Sequence, residues 1–271
     1  MSPDPRTQLG PTGVVVGIGD QGFDTVRTAV RLGAEEAALR HVSLRLVHGS
    51  RPIGQKIGAA SSSMEVRQQR GRRLVNGAAR ELAATPLGRS IQIWTESSPQ
   101  TGIDLLLAHS GTAAMLVLQR VDGLMSAGPT TSAVMVAARC PTLVTRPSDR
   151  TLGHLGVLVL LDPEQDPAPA IALAFTEASL RGSAVTVLDG RNDPDAVRTA
   201  FRVARANHPD VLISCTAVSV ARPAERIREN SENATLIVVV RPARDQSGLA
   251  AAAIDEAACP VLAVGPVHAG V

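Results

Sequence analysis

AARCPTLVTRP (residues 137–147) and EAACPVLAVGP (residues 256–266) are two versions of one pattern in this sequence. Each version combines the tail of a helix, a Cys-Pro pair, a short apolar run of strand type and a second proline. Cys259 follows Cys140 by 119 residues, a separation typical of one domain. The repeat therefore predicts two related domains in tandem within the 271 residues of the chain.

Upstream of each Cys-Pro pair, short apolar runs alternate with longer amphipathic segments. The predicted strands are residues 14–18, 43–48, 91–96, 114–118, 142–146, 156–161, 184–188, 211–216, 235–240 and 261–264. This alternation is typical of right-handed βαβ crossovers and of a parallel sheet covered by helices on both faces. We expect two α/β domains, each with a five-stranded parallel sheet, at residues 13–147 and 155–267. A flexible N-terminus (1–12) precedes them, and residues 148–154 form the linker.

Composition excludes several classes of protein. The net charge is only +2, and no apolar run reaches the roughly 18–20 residues of a membrane span. The opening MSPDPRTQLGP lacks the apolar core of a signal peptide. We therefore expect a cytoplasmic protein with no nucleic-acid or membrane partner. Its six histidines show no metal-binding spacing, so we expect no metal site, and its three cysteines are interpreted as small apolar residues.

A basic run, RQQRGRR (residues 67–73), lies on a predicted long helix. Such a run can face RNA or an acidic partner, but basic helix faces are more often simply solvated. We interpret this one as a solvated face.

Three glycines follow the first predicted strand at the G-x-G-x-x-G spacing of a dinucleotide-binding fingerprint: Gly17, Gly19 and Gly22. A true dinucleotide fold also needs an acidic residue at the end of its second strand to hold the ribose. That position is His48, followed by Gly-Ser-Arg, and the second half of the chain has no glycines at the equivalent loop. We interpret the match as accidental. The alternative, a redox enzyme, would show flavin colour or nicotinamide binding.

The order of these parts resembles the universal stress protein family, in the tandem two-domain form common in actinobacteria. The residues that carry the resemblance are VVVG, AEEA (residues 34–37), LRLVH, AAMLVL and above all ARCPTLV and AACPVLA. It covers about residues 13–266 and implies the adenine nucleotide alpha hydrolase-like fold. In this family the last strands pair antiparallel across a dimer. We therefore expect Pro141–Arg146 to pair with Pro260–Gly265 as an internal pseudo-dimer, and a homodimer is a further option.

Nucleotide-binding members of the family carry G-x-x-G, nine residues and G-S/T after strand four, a loop that wraps phosphates with backbone N–H groups. In the first half Gly128 falls on the final glycine, but Pro129 follows it. The resemblance gives these first-half candidates: Gly17, Asp20 for the strand-one aspartate, Val47 for the adenine, and Gly123, Gly128, Thr130 and Thr131 for the phosphates.

In the second half the strand-one aspartate is kept as Asp162, and Val187 is the strand-two candidate. Ser247 and Gly248 stand where Gly-Ser belongs, in inverted order, and Arg241 replaces the first glycine. Arg241 can contact phosphate by charge, although arginines in surface loops are usually solvated. Neither half preserves the motif.

Two functional classes follow. The first is a non-enzymatic stress-response module that acts through protein contacts, with degenerate nucleotide sites, no catalytic residue and no certain cofactor. The second is a sensor of ATP, with Mg²⁺, or of a related adenine nucleotide, with slow hydrolysis as an option. The missing phosphate-loop glycines favour the first class, and the sequence does not name the protein partner.

Overall fold

A computed structural model describes residues 12–21, 23–51, 61–120, 128–147, 156–189, 194–217, 223–241 and 248–265. Within them the chain forms ten strands and nine helices. The strands are β1 (Thr12–Gly17), β2 (Leu44–Arg51), β3 (Ile93–Thr101), β4 (Ala113–Gln119), β5 (Thr142–Thr145), β6 (Gly156–Leu161), β7 (Val185–Asp189), β8 (Ile213–Ala217), β9 (Ala234–Val240) and β10 (Val261–Val264). The helices are α1 (Phe23–Leu39), α2 (Ser61–Ala83), α3 (Pro86–Arg89), α4 (Gly102–Ser110), α5 (Pro129–Ala137), α6 (Ala168–Arg181), α7 (Pro194–Asn207), α8 (Pro223–Ser231) and α9 (Leu249–Glu256).

The predicted order of strands and helices is confirmed, with one additional helix. Helix α3 is a single turn that the apolar periodicity did not indicate. It begins after Thr85, whose hydroxyl accepts a hydrogen bond from the Gly88 N–H at 3.0 Å, and Pro86 occupies its first position. A threonine cap followed by proline is a local start signal for a helix, and it acts here without an amphipathic face.

The chain divides into two compact units whose boundary differs from that of the sequence repeats. The first unit contains Met1–Leu118 and Ala138–Cys140, and the second contains Gln119–Ala137 and Pro141–Val271. Helix α5 and strand β5, which belong to the first sequence repeat, therefore group with the second unit.

The first unit has a parallel sheet in the order β3-β2-β1-β4. Its central strands are apolar and fully covered: Val14, Val16, Leu44 and Leu46 are each 0% exposed. Continuous apolar strands of this kind are expected when helices cover both faces of a parallel sheet. The carboxyl ends of the strands lie along one edge, where their loops begin.

The second unit has the order β5-β10-β9-β6-β7-β8, and every pair described in it is parallel except β5 with β10. Leu143 lies opposite Leu262 in this antiparallel pair, and both side chains are buried. The two leucines occupy equivalent places in the two Cys-Pro repeats, 119 residues apart. The predicted pairing of Pro141–Arg146 with Pro260–Gly265 is confirmed.

A buried serine anchors the turn before each Cys-Pro pair. Ser110 Oγ accepts a hydrogen bond from the Arg139 N–H at 3.1 Å and donates one to the Leu107 carbonyl at 2.7 Å. In the second unit Ser231 Oγ accepts from the Ala258 N–H at 2.8 Å and donates to the Arg228 carbonyl at 2.9 Å. The repeat thus extends to side-chain hydrogen bonds. None of the helices in the described residues is long and apolar enough to span a bilayer.

Candidate functional site

Most of the predicted site residues lie at or beyond the carboxyl ends of the parallel strands, where α/β folds place their ligands. Gly17, Asp20 and Val47 belong to the first unit, whereas Asp162, Val187, Arg241 and Gly248 belong to the second. Gly128, Thr130 and Thr131 also belong to the second unit. Two further candidates, Gly123 and Ser247, fall outside the described residues, as does Gly22 of the glycine fingerprint.

Gly17 ends β1 beside Val47 of β2, and the Ile18 N–H donates to the Val47 carbonyl at 2.8 Å. A Cβ atom added at Gly17 would lie 3.1 Å from Leu118 Cδ2 and 3.3 Å from Leu106 Cδ1. The absence of a side chain at Gly17 therefore leaves room for the side chains of Leu118 and Leu106. Packing accounts for this glycine without any bound pyrophosphate, which supports the interpretation of the fingerprint as accidental.

His48, three residues before the end of β2, is buried and lies beside Ile18, the first residue after β1. Its Nδ1 lies 2.9 Å from the Ile18 carbonyl, which can only accept, so Nδ1 carries the proton. Its Nε2 lies 3.6 Å from Oδ1 of the exposed Asp20, and Arg70 Nη2 donates to the Asp20 carbonyl at 2.9 Å. A buried imidazole thus fills the place where a dinucleotide fold has its ribose-binding carboxylate.

Helix α2 packs closely over this imidazole. A Cβ atom added at Gly71 would lie 2.3 Å from His48 Cδ2 and 2.6 Å from Ser97 Oγ. Ser97 in turn lies 3.4 Å from Ser50 Oγ. These polar side chains form a close-packed group at the edge where β2 and β3 end.

The phosphate-loop candidates of the first half group with the second unit. Gly128 precedes α5 with φ +81°, a conformation that favours glycine, and its carbonyl accepts from the Ser132 N–H at 3.0 Å. Thr130 is half-buried and Thr131 is buried. Asp20 and Val47 therefore belong to one compact unit and Gly128–Thr131 to the other.

In the second half the structure brings Asp162 and Gly248 together. Asp162 Oδ1 accepts a hydrogen bond from the Glu164 N–H at 3.0 Å. A Cβ atom added at Gly248 would lie 3.4 Å from Asp162 Oδ2, and Gly248 immediately precedes α9 with φ +91°. A carboxylate beside a helix N-terminus is favoured by the helix dipole. Val187 lies on the neighbouring strand β7, and its side chain is 1% exposed.

Arg241, which replaces the first glycine of the phosphate loop, is buried rather than solvated: it is only 3% exposed. Its N–H donates to the Val264 carbonyl at 2.9 Å, and its Nη1 donates to the Met135 carbonyl at 3.1 Å. Met135 lies near the carboxyl end of α5. The expectation of a surface arginine did not anticipate that a helix from the other sequence repeat packs here.

Arg120 is the counterpart of Arg241 in the first repeat, and sequence reasoning overlooked its role. Its N–H donates to the Thr145 carbonyl at 2.7 Å, and its Nη1 donates to the carbonyls of Ile254 at 2.8 Å and Asp255 at 3.2 Å, near the end of α9. The last carbonyls of a helix lack partners within it and carry negative partial charge. Each arginine therefore caps the last helix of the opposite repeat.

One carboxylate of the first unit has a clearly shifted pKa. Glu96 Oε2 on β3 lies 3.0 Å from His109 Nε2 on α4 and 3.3 Å from Arg45 Nη1 on β2. The hydrogen bond from His109, with smaller contributions from the charges of His109 and Arg45, lowers the pKa of Glu96 below its usual 4.5. In the described residues no group of three or more His, Cys, Asp or Glu side chains is placed to hold a metal ion.

No family model matches the sequence. Universal stress protein Rv2623 of Mycobacterium tuberculosis is 27% identical over 258 residues, which cover 84% of this chain and 85% of the relative. Universal stress protein Mb2028c of Mycobacterium bovis is 28% identical over 273 aligned residues, which cover 87% of this chain and 88% of the relative.

Among solved structures, a universal stress protein from Archaeoglobus fulgidus has a TM-score of 0.70 at 13% identity, covering 95% of this chain and 97% of that one. The cytoplasmic domain of a prokaryotic cation chloride cotransporter has a TM-score of 0.55 at 10% identity, covering 94% of this chain and 95% of that one. These two likenesses concern the fold alone. The chain is therefore similar to the mycobacterial universal stress proteins over most of its sequence, and its fold is similar to that of a solved universal stress protein.

Proposed function

We propose that the protein is a non-enzymatic stress-response protein that acts as a regulatory module through contacts with another protein. The names of its sequence relatives support the stress-response part of this proposal. The proposal of degenerate nucleotide sites is supported by the contacts of Arg241 and Arg120. Arg241 replaces the first glycine of the phosphate loop, Arg120 follows the equivalent strand of the first repeat, and each binds backbone carbonyls near the end of a helix.

A phosphate loop works because glycines expose successive backbone N–H groups to the phosphate oxygens. Here Arg241 stands in place of the first glycine, and its guanidinium binds a backbone carbonyl of the protein itself. Arg241 is buried against the Met135 carbonyl, and the Nη2 of the same guanidinium would lie 2.9 Å from a Cβ atom added at Gly265. An arginine held in this way stabilises the fold, and its guanidinium is not free to bind the phosphates of a nucleotide. The contacts of Arg241 therefore support a module whose nucleotide sites are degenerate.

A second candidate function is adenine-nucleotide binding in the second half, with ATP and Mg²⁺ as the ligand. It is favoured by the one feature that the second half retains, the approach of Asp162 to Gly248 at the start of α9. In the family an aspartate at the end of strand one approaches the nucleoside. Asp162 is half-buried at that place, with one carboxylate oxygen bonded to the Glu164 N–H.

The test is calorimetric titration of the full chain with Mg-ATP, after nucleotide extracted from the denatured protein has been measured by mass spectrometry. We expect no extracted nucleotide, no binding heat and no release of phosphate from ATP. A micromolar dissociation constant that is lost in Asp162→Ala would overturn the proposal and assign the nucleotide to the second half. Asp195→Ala, which removes a carboxylate from the exposed N-terminus of α7, is the matched control.

A further inference from the structure

An open groove of about 660 Å³ lies between α2 and β3 in the first unit. Its helix side carries Gln69, Arg72, Arg73, Asn76 and Arg80, and its strand side includes Thr95. Asn76 and Arg80 follow Arg73 at spacings of three and seven residues, which place all three on one face of the helix. The opposite face, with Val75 and Ala78, is buried.

The geometry of the groove is fixed from both sides. Thr95 Oγ1 donates to Asn76 Oδ1 at 2.9 Å, which ties the middle of α2 to β3. Closer to the start of the helix, Ser97 Oγ donates to the Gln68 carbonyl at 3.4 Å. The arginines therefore project from a helix that is anchored along the strand, and their spacing is set by the fold.

The groove is positively charged. Arg72, Arg73 and Arg80 are exposed, and in the part of the chain that the structure describes no carboxylate forms an ion pair with any of them. Glu81, which is next to Arg80 in sequence, pairs instead with Arg27 at 3.7 Å. Since arginine stays protonated in proteins, three positive charges face this groove at every physiological pH.

Strand β3 is the last strand of the first unit's sheet, and among the described residues it pairs only with β2. The Leu44 N–H donates to the Gln92 carbonyl, so the backbone of Gln92 points toward β2. Backbone direction alternates along a strand, and the N–H and C=O groups of Ile93 and Thr95 therefore point outward. An edge of this kind can accept a further strand from another protein.

We propose that this edge and groove bind an extended acidic segment of a partner protein. The segment would add a strand beside β3, and its carboxylates would pair with Arg72, Arg73 and Arg80. Seven residues of helix separate Arg73 from Arg80, or about 10 Å. Acidic residues two or four positions apart lie on the same face of an extended chain, about 7 or 13 Å apart, and these distances bracket this spacing.

A peptide fits these features better than a nucleic acid does. The outward N–H and C=O groups of Ile93 and Thr95 match a peptide backbone, not a sugar-phosphate chain. Trp94, the only tryptophan, lies between them on β3 and therefore faces away from the groove, so no tryptophan platform is present for stacking bases. The inference deepens the proposed function, because it gives the partner's chemistry, and it rests on that function.

The test titrates the full chain at low salt with a synthetic peptide of about twelve residues that alternates Glu with Val or Thr. Trp94 is 48% exposed on β3, the strand that the peptide would join, so its fluorescence reports strand addition, and calorimetry gives the dissociation constant. We expect saturable binding that weakens at least about tenfold in the triple variant Arg72→Gln, Arg73→Gln, Arg80→Gln. The control is Arg198→Gln, Arg202→Gln, Arg205→Gln, which removes the same charge from exposed positions of α7 and should change affinity less than about twofold.

Two further probes decide between main-chain pairing and charge alone. The same peptide with N-methyl groups on one edge should bind at least about tenfold more weakly, because it cannot complete the ladder with β3. Absence of peptide binding, equal loss in the two triple variants, or tighter binding of a single-stranded RNA of matched length would each overturn the proposal. Neither result depends on ATP, so failure here is distinguishable from failure of the nucleotide test above.

Discussion

Arg120 and Arg241 make reciprocal contacts: Arg120 Nη1 donates to the Ile254 carbonyl of α9, and Arg241 Nη1 donates to the Met135 carbonyl of α5. The two arginines follow equivalent strands of the two repeats, and the two carbonyls lie near the ends of equivalent helices. The backbone N–H groups of Arg120 and Arg241 also donate to the carbonyls of Thr145 and Val264, at the ends of the antiparallel strands β5 and β10. Arginines that directly follow equivalent strands thus join the two sequence repeats.

Replacing either arginine by glutamine should destabilise the protein. A charged hydrogen bond to a buried carbonyl contributes about 1.5–3 kcal/mol, and removing it leaves that carbonyl without its donor. We expect about 2 kcal/mol of lost unfolding free energy for Arg241→Gln and somewhat less for Arg120→Gln, whose side chain is 14% exposed. Urea unfolding followed by circular dichroism measures both losses. Arg198→Gln on α7 is the control, and equal stability of all three variants would contradict the structural role.

Two glycines of α2 should respond in opposite directions to alanine. Gly77→Ala adds a methyl group with no atom within 4 Å and should raise the unfolding free energy by about 0.5–1 kcal/mol, because alanine favours helix. Gly71→Ala places the same group 2.3 Å from His48 Cδ2 and should lower stability by about 1–3 kcal/mol. Thermal unfolding of the two variants measures both effects, and each variant is the control for the other. Increased stability of both would show that α2 does not pack closely against His48.

The serines before the Cys-Pro turns should each contribute to stability. Ser110→Ala and Ser231→Ala remove the acceptor for a backbone N–H, of Arg139 and Ala258 respectively, and each should cost about 1–3 kcal/mol. Ser90→Ala, at an exposed serine that only donates to the Leu87 carbonyl, should cost much less. Urea midpoints of the three variants check this, and a similar cost for all three would count against the anchoring of the turns.

Glu96 should make the stability of the protein depend on acid pH. Its pKa is lowered in the folded chain, so the folded state holds its proton less tightly than the unfolded state does. The resulting stabilisation is complete above about pH 4.5 and is lost as the pH falls through the lowered folded value. Unfolding free energies measured between about pH 6 and pH 3 should therefore converge for the wild type and Glu96→Gln as the pH falls.

Glu81→Gln is the control for this titration, because Glu81 is exposed and its ion pair with Arg27 spans 3.7 Å. Its substitution should cost less than about 1 kcal/mol, because exposed ion pairs contribute little. A Glu96→Gln difference that stays constant down to pH 3 would show that the His109 contact does not favour the ionised carboxylate.

Most of the fold follows from short-range signals in the sequence. Strands β6 and β10 have the predicted bounds, because Gly156 begins β6 and Pro260 directly precedes β10. Strand β3 extends to Thr101, well beyond its predicted end at Glu96, through the polar run SSPQT. As an edge strand it is covered less than its neighbours, so its sequence does not need to be apolar.

The site was less predictable because its contacts join distant parts of the chain. The resemblance to universal stress proteins indicated Asp162, and its role as a site residue stays a prediction. The bond from Arg241 to Met135 spans 106 residues, and nothing in the local pattern VVVRP indicates its partner. The one sequence signal for this contact is the recurrence of arginine at positions 120 and 241, after equivalent strands, which indicates equivalent contacts.

The pairing of Leu143 with Leu262 also has a consequence for how the chain is made. A ribosome that adds about 5–20 residues per second completes β5 roughly 6–24 seconds before β10 exists. During that interval the nascent chain contains the strand segment TLVT of β5, and its partner strand β10 has not been translated. A chain truncated before Val261 would leave β5 without its antiparallel partner, so the pairing of β5 depends on a strand that is translated 119 residues later.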